Sequence, residues 1–118
     1  MTKKLVKENK VVTLVRNTLE YITKNFTSDI NLDDIAESLN YNKFYLCRVF
    51  KETIGQTIQS YIFGLRISHA KMLLKQNKLT LTEIVYNCGF SSQAYFCYVF
   101  KKESGMTPLQ FRNFSHEK

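Results

Sequence analysis

The chain has 118 residues, enough for one domain or two small lobes, and it is 44% hydrophobic and 14% aromatic with no tryptophan and one proline. A net charge of +7 and an isoelectric point near 9.4 favour polyanionic partners such as nucleic acid or an anionic surface. No apolar run reaches the roughly eighteen residues of a membrane span, the lysines of MTKKLVKENK precede no signal-peptide core, and Cys47, Cys88 and Cys97 form no CxxC pair, so a reducing, cytoplasmic setting is expected.

In chain order the apolar periodicity is helical throughout. Val11, Leu14, Val15, Leu19, Ile22 and Phe26 form one stripe and predict a first helix from about Val11 to Phe26. Asn31 caps a second helix carrying Leu32, Ile35, Ala36 and Leu39. Asn42 caps a third with Tyr45, Leu46, Val49 and Phe50 inward, and Gly55 ends it as a left-handed C-terminal residue would. Thr57 opens the longest helix, to about Gln76. Thr80 to Glu83 has the spacing of a capping box before Ile84 and Val85, and Gly89 closes that fifth helix. Ser91 or Ser92 caps a sixth, with Tyr95, Phe96, Val99 and Phe100 inward and a stop at Gly105. Thr107-Pro108 opens a short seventh, proline being suited to a first helical position.

Two stretches of this pattern are the same unit used twice. FYLCRVFKETIGQTIQSY (44–61) and AYFCYVFKKESGMTPLQF (94–111) align at an offset of fifty. Their identities are Tyr45/Tyr95, Cys47/Cys97, Val49/Val99, Phe50/Phe100, Lys51/Lys101, Gly55/Gly105 and Thr57/Thr107. Upstream, IAESLNY (35–41) matches IVYNCGF (84–90) at an offset of forty-nine, one residue being inserted near Ser92. Each copy is a short helix, a turn at Asn40-Tyr41 or Gly89-Phe90, and a second helix: a helix-turn-helix unit. The expected fold is all-α, with about seven helices in two lobes joined by a long connecting helix. Residues 1–10 are expected to form a basic tail or linker, 11–56 the first lobe, 57–76 the connecting helix, 77–114 the second lobe and 115–118 a tail.

With the apolar residues inward, helical geometry fixes what points outward. In the first unit it is Phe44, Cys47, Arg48 and Lys51, with Asn42 and Lys43 at the helix start. In the second it is Ala94, Cys97, Tyr98 and Lys101, with Ser92 and Gln93 at the start. Neither stripe holds a carboxylate before Glu52 or Glu103, as a face turned to phosphates requires. Arg48 suits a two-bond contact with guanine or a phosphate clamp, Gln93 a two-bond contact with adenine, and Phe44 and Ala94 thymine methyls. Lys51 and Lys101 lie late in their helices and suit the DNA backbone. A connecting helix of about twenty residues is about 30 Å long, near the roughly 34 Å of one DNA turn. Solvated lysines are the plain alternative for any one position; the repetition at one offset favours double-stranded DNA.

These residues resemble the AraC/XylS-type DNA-binding domain from roughly Val11 to Phe114. The likeness is carried by IAESLNYNKFYLCRVFKETIG, by RISHAKMLL in the connecting helix and by IVYNCGFSSQAYFCYVFKKESGMTPLQFR. The resemblance implies a two-lobed, seven-helix bacterial transcription regulator whose third and sixth helices enter the major groove. It places Phe44, Cys47 and Arg48, then Gln93, Ala94 and Cys97, at groove-facing positions, and implies RNA polymerase as a further partner. The family usually has arginine where Tyr98 stands, so the first lobe is expected to carry more of the affinity. Stand-alone activators and reading heads of longer regulators both fit this length.

Arg66 is expected to pair with Asp33, Asp34 or Glu37 in preference to a phosphate, and His69 to be a surface or packing residue. His116 is expected in a frayed tail. Cys47 and Cys97 are expected as small neutral groups, with a redox sensor as the alternative. No metal site, cofactor or small-molecule ligand is expected, and no enzyme, since neither histidine has a visible nucleophile or acid partner. The rival to a DNA reader is a protein-interaction module docking on RNA polymerase or another acidic partner.

Overall fold

The computed structural model describes the backbone of residues 2–116 and the side chains of residues 10–116. Among the described residues there are seven helices and no strand: α1 (Thr2–Asn25), α2 (Leu32–Leu39), α3 (Lys43–Ile54), α4 (Ile58–Gln76), α5 (Leu81–Asn87), α6 (Gln93–Ser104) and α7 (Pro108–His116). Helix α1 starts nine residues before the apolar stripe does. The stripe reports only the part of a helix that packs, and the preceding segment contains neither glycine nor proline and is rich in lysine, a good helix former. At the other end Ser115 and His116 still belong to α7, with His116 Nε2 3.1 Å from the Lys75 carbonyl oxygen; residues 117 and 118 lie outside the described residues.

The helix ends follow the capping chemistry. Asn31 and Asp34 form a reciprocal capping box on α2, and Thr80 and Glu83 form another on α5. Asn42 Oδ1 accepts from the Phe44 and Tyr45 backbone N–H groups at 2.9 and 3.2 Å. Ser92 Oγ accepts from Tyr95 N–H at 3.2 Å, which makes it the cap of α6. Thr107 and Gln110 repeat the reciprocal arrangement at α7. Gly55 and Gly105, at φ 92° and 80°, close α3 and α6.

The chain divides into two compact units, Met1–Asn25 with Ile30–Ile62, and Phe26–Asp29 with Phe63–Lys118, the division falling inside α4. In the first unit α1, α2 and α3 pack on one another. Leu14, Ile22, Ile35, Leu46 and Phe50 are buried there, and Thr18 is buried with its hydroxyl donating to the Leu14 carbonyl at 2.8 Å. In the second, Ile84, Val85, Cys88, Phe90, Phe96, Val99 and Phe100 form a core with Ile67, Ala70 and Leu74 of α4. Full burial of a phenylalanine is worth about 1.5–3 kcal/mol, so Phe50, Phe96 and Phe100 are main anchors of α3 and α6.

The turn inside each helix-turn-helix unit is built to one plan. Tyr41 N–H donates to the Ala36 carbonyl at 2.9 Å, and its counterpart Phe90 N–H donates to Val85 at 3.1 Å. Asn40 N–H reaches Glu37 and Gly89 N–H reaches Tyr86, both at 3.1 Å. These bonds consume carbonyls left over at a helix end and require a left-handed residue. Asn40 supplies it at φ 60° and Gly89 at φ 88°. Asparagine tolerates that conformation. At Gly89 there is a second constraint: a Cβ would lie 2.7 Å from the Phe26 carbonyl oxygen.

Candidate nucleic-acid interface

Helices α3 and α6 each bury one side and present the other to solvent. Leu46, Val49 and Phe50 are buried on α3, and Phe96, Val99 and Phe100 at the matching positions of α6. On the opposite side of α3, Phe44 (74% exposed), Arg48 and Lys51 face solvent. On α6, Gln93, Ala94, Tyr98 (62% exposed) and Lys101 do the same. The structure therefore brings the predicted residues onto one outward face in each unit. Asn42 and Ser92 stand at the start of these faces, where their side-chain oxygens serve as helix caps.

Electrostatics within each face are graded. Arg48 lies over the Tyr45 ring at 5.5 Å, with Nη1 3.9 Å from Glu52 Oε1. That distance, between two exposed side chains, is a weak tether that leaves the guanidinium free to find another anion. Lys43 is held more closely, with Nζ 3.0 Å from Asp33 Oδ1 and 5.6 Å from the Phe44 ring centre. Gln93 Oε1 accepts from Thr82 Oγ1 at 3.2 Å.

Cys47 and Cys97 are half-buried between the outward face and the core. Burial pushes both thiols up, in Cys47 against the opposing pull of Lys43. A raised pKa keeps a thiol protonated and less reactive. The redox alternative required the reverse; small neutral contact residues, as expected, fit the geometry.

Two expectations need correction. Tyr45 and Tyr95 are 36% and 46% exposed rather than inward. The buried stripe is centred on the side chains one, four and five positions along, so each tyrosine sits at its edge and keeps its hydroxyl wet. Tyr45 stacks on Tyr41 at 6.1 Å and Tyr95 on Tyr98 at 6.4 Å, which widens each exposed face with aromatic surface. The repetition of tyrosine at 45 and 95, where a core position would more often hold a purely apolar ring, was the available signal.

Arg66 does not pair with Asp33, Asp34 or Glu37. It is buried, donating from Nε to the Phe26 carbonyl at 2.7 Å and from Nη2 to the Ser28 carbonyl at 2.8 Å, with its guanidinium 5.6 Å from the Phe90 ring centre. Burial lowers its pKa while Asp29 opposes the shift. A planar fork of donors satisfies two loop carbonyls at once, which a lysine cannot do. Through these bonds Arg66 fixes the 26–29 loop against Gly89 and hence the α5–α6 turn. His69 packs edge-on against Phe26 at 5.8 Å, a packing role as expected.

Comparison with known proteins bears on this geometry. A family model described as a helix-turn-helix domain matches residues 35–113. The chain is 41% identical over 99 residues to an uncharacterised helix-turn-helix-type transcriptional regulator from the cgkA 5′ region of Pseudoalteromonas carrageenovora, covering 84% of this chain and 58% of that protein. It is 35% identical over 109 residues to the transcriptional activator RhaR of Salmonella dublin, covering 92% of this chain and 36% of RhaR. It thus spans little more than half of one of these relatives and about a third of the other. Among solved structures, the C-terminal domain of AraT, a response regulator from Geobacillus stearothermophilus, superposes with a TM-score of 0.83 at 34% identity, covering 86% of this chain and 84% of that one. The duplicated unit, the seven helices and these likenesses agree, and the chain belongs to the AraC/XylS-type helix-turn-helix family of transcription regulators.

Proposed function

We propose that this chain binds double-stranded DNA sequence-specifically, with α3 and α6 each entering a major groove, and regulates bacterial transcription in the cytoplasm. The observation that carries the proposal is the duplicated outward face: cationic, aromatic and hydrogen-bonding side chains opposite a buried apolar triad, at one offset along the chain. Major grooves admit an α-helix, and Arg48 has the fork that reads guanine through two bonds. Phe44 and Ala94 suit thymine methyls, and Lys51 and Lys101 suit the phosphate backbone, which positions without specifying. Helix α4 has 19 residues, about 28 Å at about 1.5 Å per residue. That length is on the scale of one duplex turn and supports reading of successive grooves.

In this proposal any contact with RNA polymerase falls on surfaces other than the outward faces of α3 and α6, which the duplex covers. Salt-titrated binding to a random duplex pool separates a DNA reader from a protein-docking module. With about six to ten phosphate contacts, affinity falls by about a thousandfold or more between about 50 and 200 mM salt. Absence of measurable duplex binding at the lower salt would rule the proposal out.

A further inference from the structure

The turn of the second helix-turn-helix unit is held from outside its own helix pair. Gly89 and Phe90 lie against Arg66 of α4: a Cβ at Gly89 would sit 3.1 Å from Arg66 Nε, and the guanidinium carbon is 5.6 Å from the Phe90 ring centre. The same Nε donates to the Phe26 carbonyl at 2.7 Å, and Nη2 donates to the Ser28 carbonyl at 2.8 Å. Phe26–Asp29 belong to the second compact unit although they lie between α1 and α2 in sequence. Arg66, only 7% exposed, therefore touches both the 26–29 segment and the α5–α6 turn.

A buried cation is a poor source of stability, since apolar residues of similar volume often serve as well or better. What the guanidinium adds is geometry: its fork fixes two carbonyls at set distances while its face lies over an aromatic ring. That ring is the link to the reading helix. Phe90 is 4% exposed, packs edge-on against Phe96 at 5.1 Å and lies 6.3 Å from Tyr95, both on α6. Tyr95 in turn stacks on Tyr98 of the outward face. At the matching place in the first unit Tyr41 is 42% exposed and stacks on Tyr45. There the turn residue faces solvent instead of a buried cation.

We propose that Arg66 is a positioning residue for DNA reading by the second lobe. Through Phe90 it sets the angle at which α6 presents Gln93, Ala94 and Tyr98 to the groove, with the 26–29 segment as its anchor. The proposal rests on the DNA-reading function and deepens it: a buried residue that meets no base governs the sequence preference of one sub-site.

Selection of bound sequences from a random duplex pool, run on the wild type, Arg66→Lys, Phe90→Leu and Leu74→Ala, tests this. Gln93→Ala and Arg48→Ala mark the sub-sites read by α6 and α3. Arg66→Lys keeps the charge but cannot bridge two carbonyls. It is expected to lower base discrimination in the α6 sub-site by about fivefold to a hundredfold, the range of one good base contact. The α3 sub-site keeps its wild-type preference. Phe90→Leu leaves an apolar side chain in the turn without the ring and is expected to relax the same positions. Combining the two is expected to relax them no further than Arg66→Lys alone, because both act through one contact. Leu74 is buried in the same core, eight residues along α4 from Arg66. Leu74→Ala thus lowers stability without touching the Arg66 contacts, and where it is folded its preference at both sub-sites is expected to match wild type.

Unchanged preference in Arg66→Lys, equal relaxation of both sub-sites, or a relaxation by Leu74→Ala as large as that by Arg66→Lys overturns the positioning role. If Arg66→Lys does not fold, Phe90→Leu decides: relaxation confined to the α6 sub-site upholds the role, and any other pattern overturns it. A wild type that enriches no sequence instead overturns the DNA-reading function itself.

Discussion

The two lobes spend the same scaffold differently. The positions that make the fold coincide: Val49 and Val99, Phe50 and Phe100, and the left-handed turn at Asn40 and Gly89 with its matching hydrogen bonds. Several positions that face outward diverge. Phe44 becomes Ala94, Arg48 becomes Tyr98, and the Asp33–Lys43 ion pair becomes the Thr82–Gln93 hydrogen bond. A core residue is fixed by volume and by its neighbours on all sides, whereas an outward residue answers only to what it touches. Divergence at the outward positions 44/94 and 48/98, over a shared Val and Phe pair in each core, is what two readers of different sequences would show.

The largest difference between the lobes is expected at the turns. Gly89→Ala forces a Cβ to 2.7 Å from the Phe26 carbonyl at positive φ. It is expected to cost about 2–4 kcal/mol, in the upper range of single substitutions. Asn40→Gly meets no such wall and is expected within about 0.5 kcal/mol of wild type. Urea unfolding of the two variants checks both values, and equal costs would show that the turns are held alike.

Next in size is the contrast between Arg48 and Tyr98. Arg48→Ala is expected to lower specific binding by about 1–3 kcal/mol and to relax preference at one base pair. Lys51→Ala is expected to weaken all sequences alike. Tyr98→Ala is expected to cost less than Arg48→Ala, having no charge to lose, while Tyr98→Arg steepens the salt slope by about 0.9. Competition binding with specific and random duplexes at several salt concentrations measures all four. A larger loss from Tyr98→Ala than from Arg48→Ala would reverse the assignment of greater affinity to the first lobe.

Near neutral pH the thiols supply the smallest effects. With burial raising the pKa of Cys47 and Cys97, mild peroxide is expected to leave duplex binding of wild type and Cys47→Ser indistinguishable. Cys88 is fully buried, and its thiol is pushed up to about 12 from an ordinary 9.0. The folded state keeps that proton where the unfolded chain loses it. The contribution is whole below about pH 9 and lost as pH rises towards about 12, so the stability difference between wild type and Cys88→Ala should narrow across that window.

Most helix ends were legible because local chemistry marks them: Asn31, Asn42, Thr80, Ser92 and Thr107 each bond the backbone within three residues of themselves. The outward faces were legible because the repeat gave two readings of one helix. What escaped was tertiary. The Arg66 grip spans 38 to 40 residues and ends on backbone carbonyls, which carry no residue-specific mark in a sequence. The start of α1 escaped because periodicity reports packing and not helicity. The Asp33–Lys43 and Thr82–Gln93 bridges lie between helices, where neither helical period nor capping rules reach, although the repeat offsets link the positions involved.

Two-lobed reading is put to the test by selection of bound sequences from a random duplex pool, wild type beside Arg48→Ala. The expected result is an asymmetric site of two sub-sites about one helical turn apart, about 10 base pairs, in which the more tightly specified sub-site is the one Arg48→Ala relaxes. A single sub-site, or a pair of which Arg48→Ala relaxes only the weaker, would contradict it.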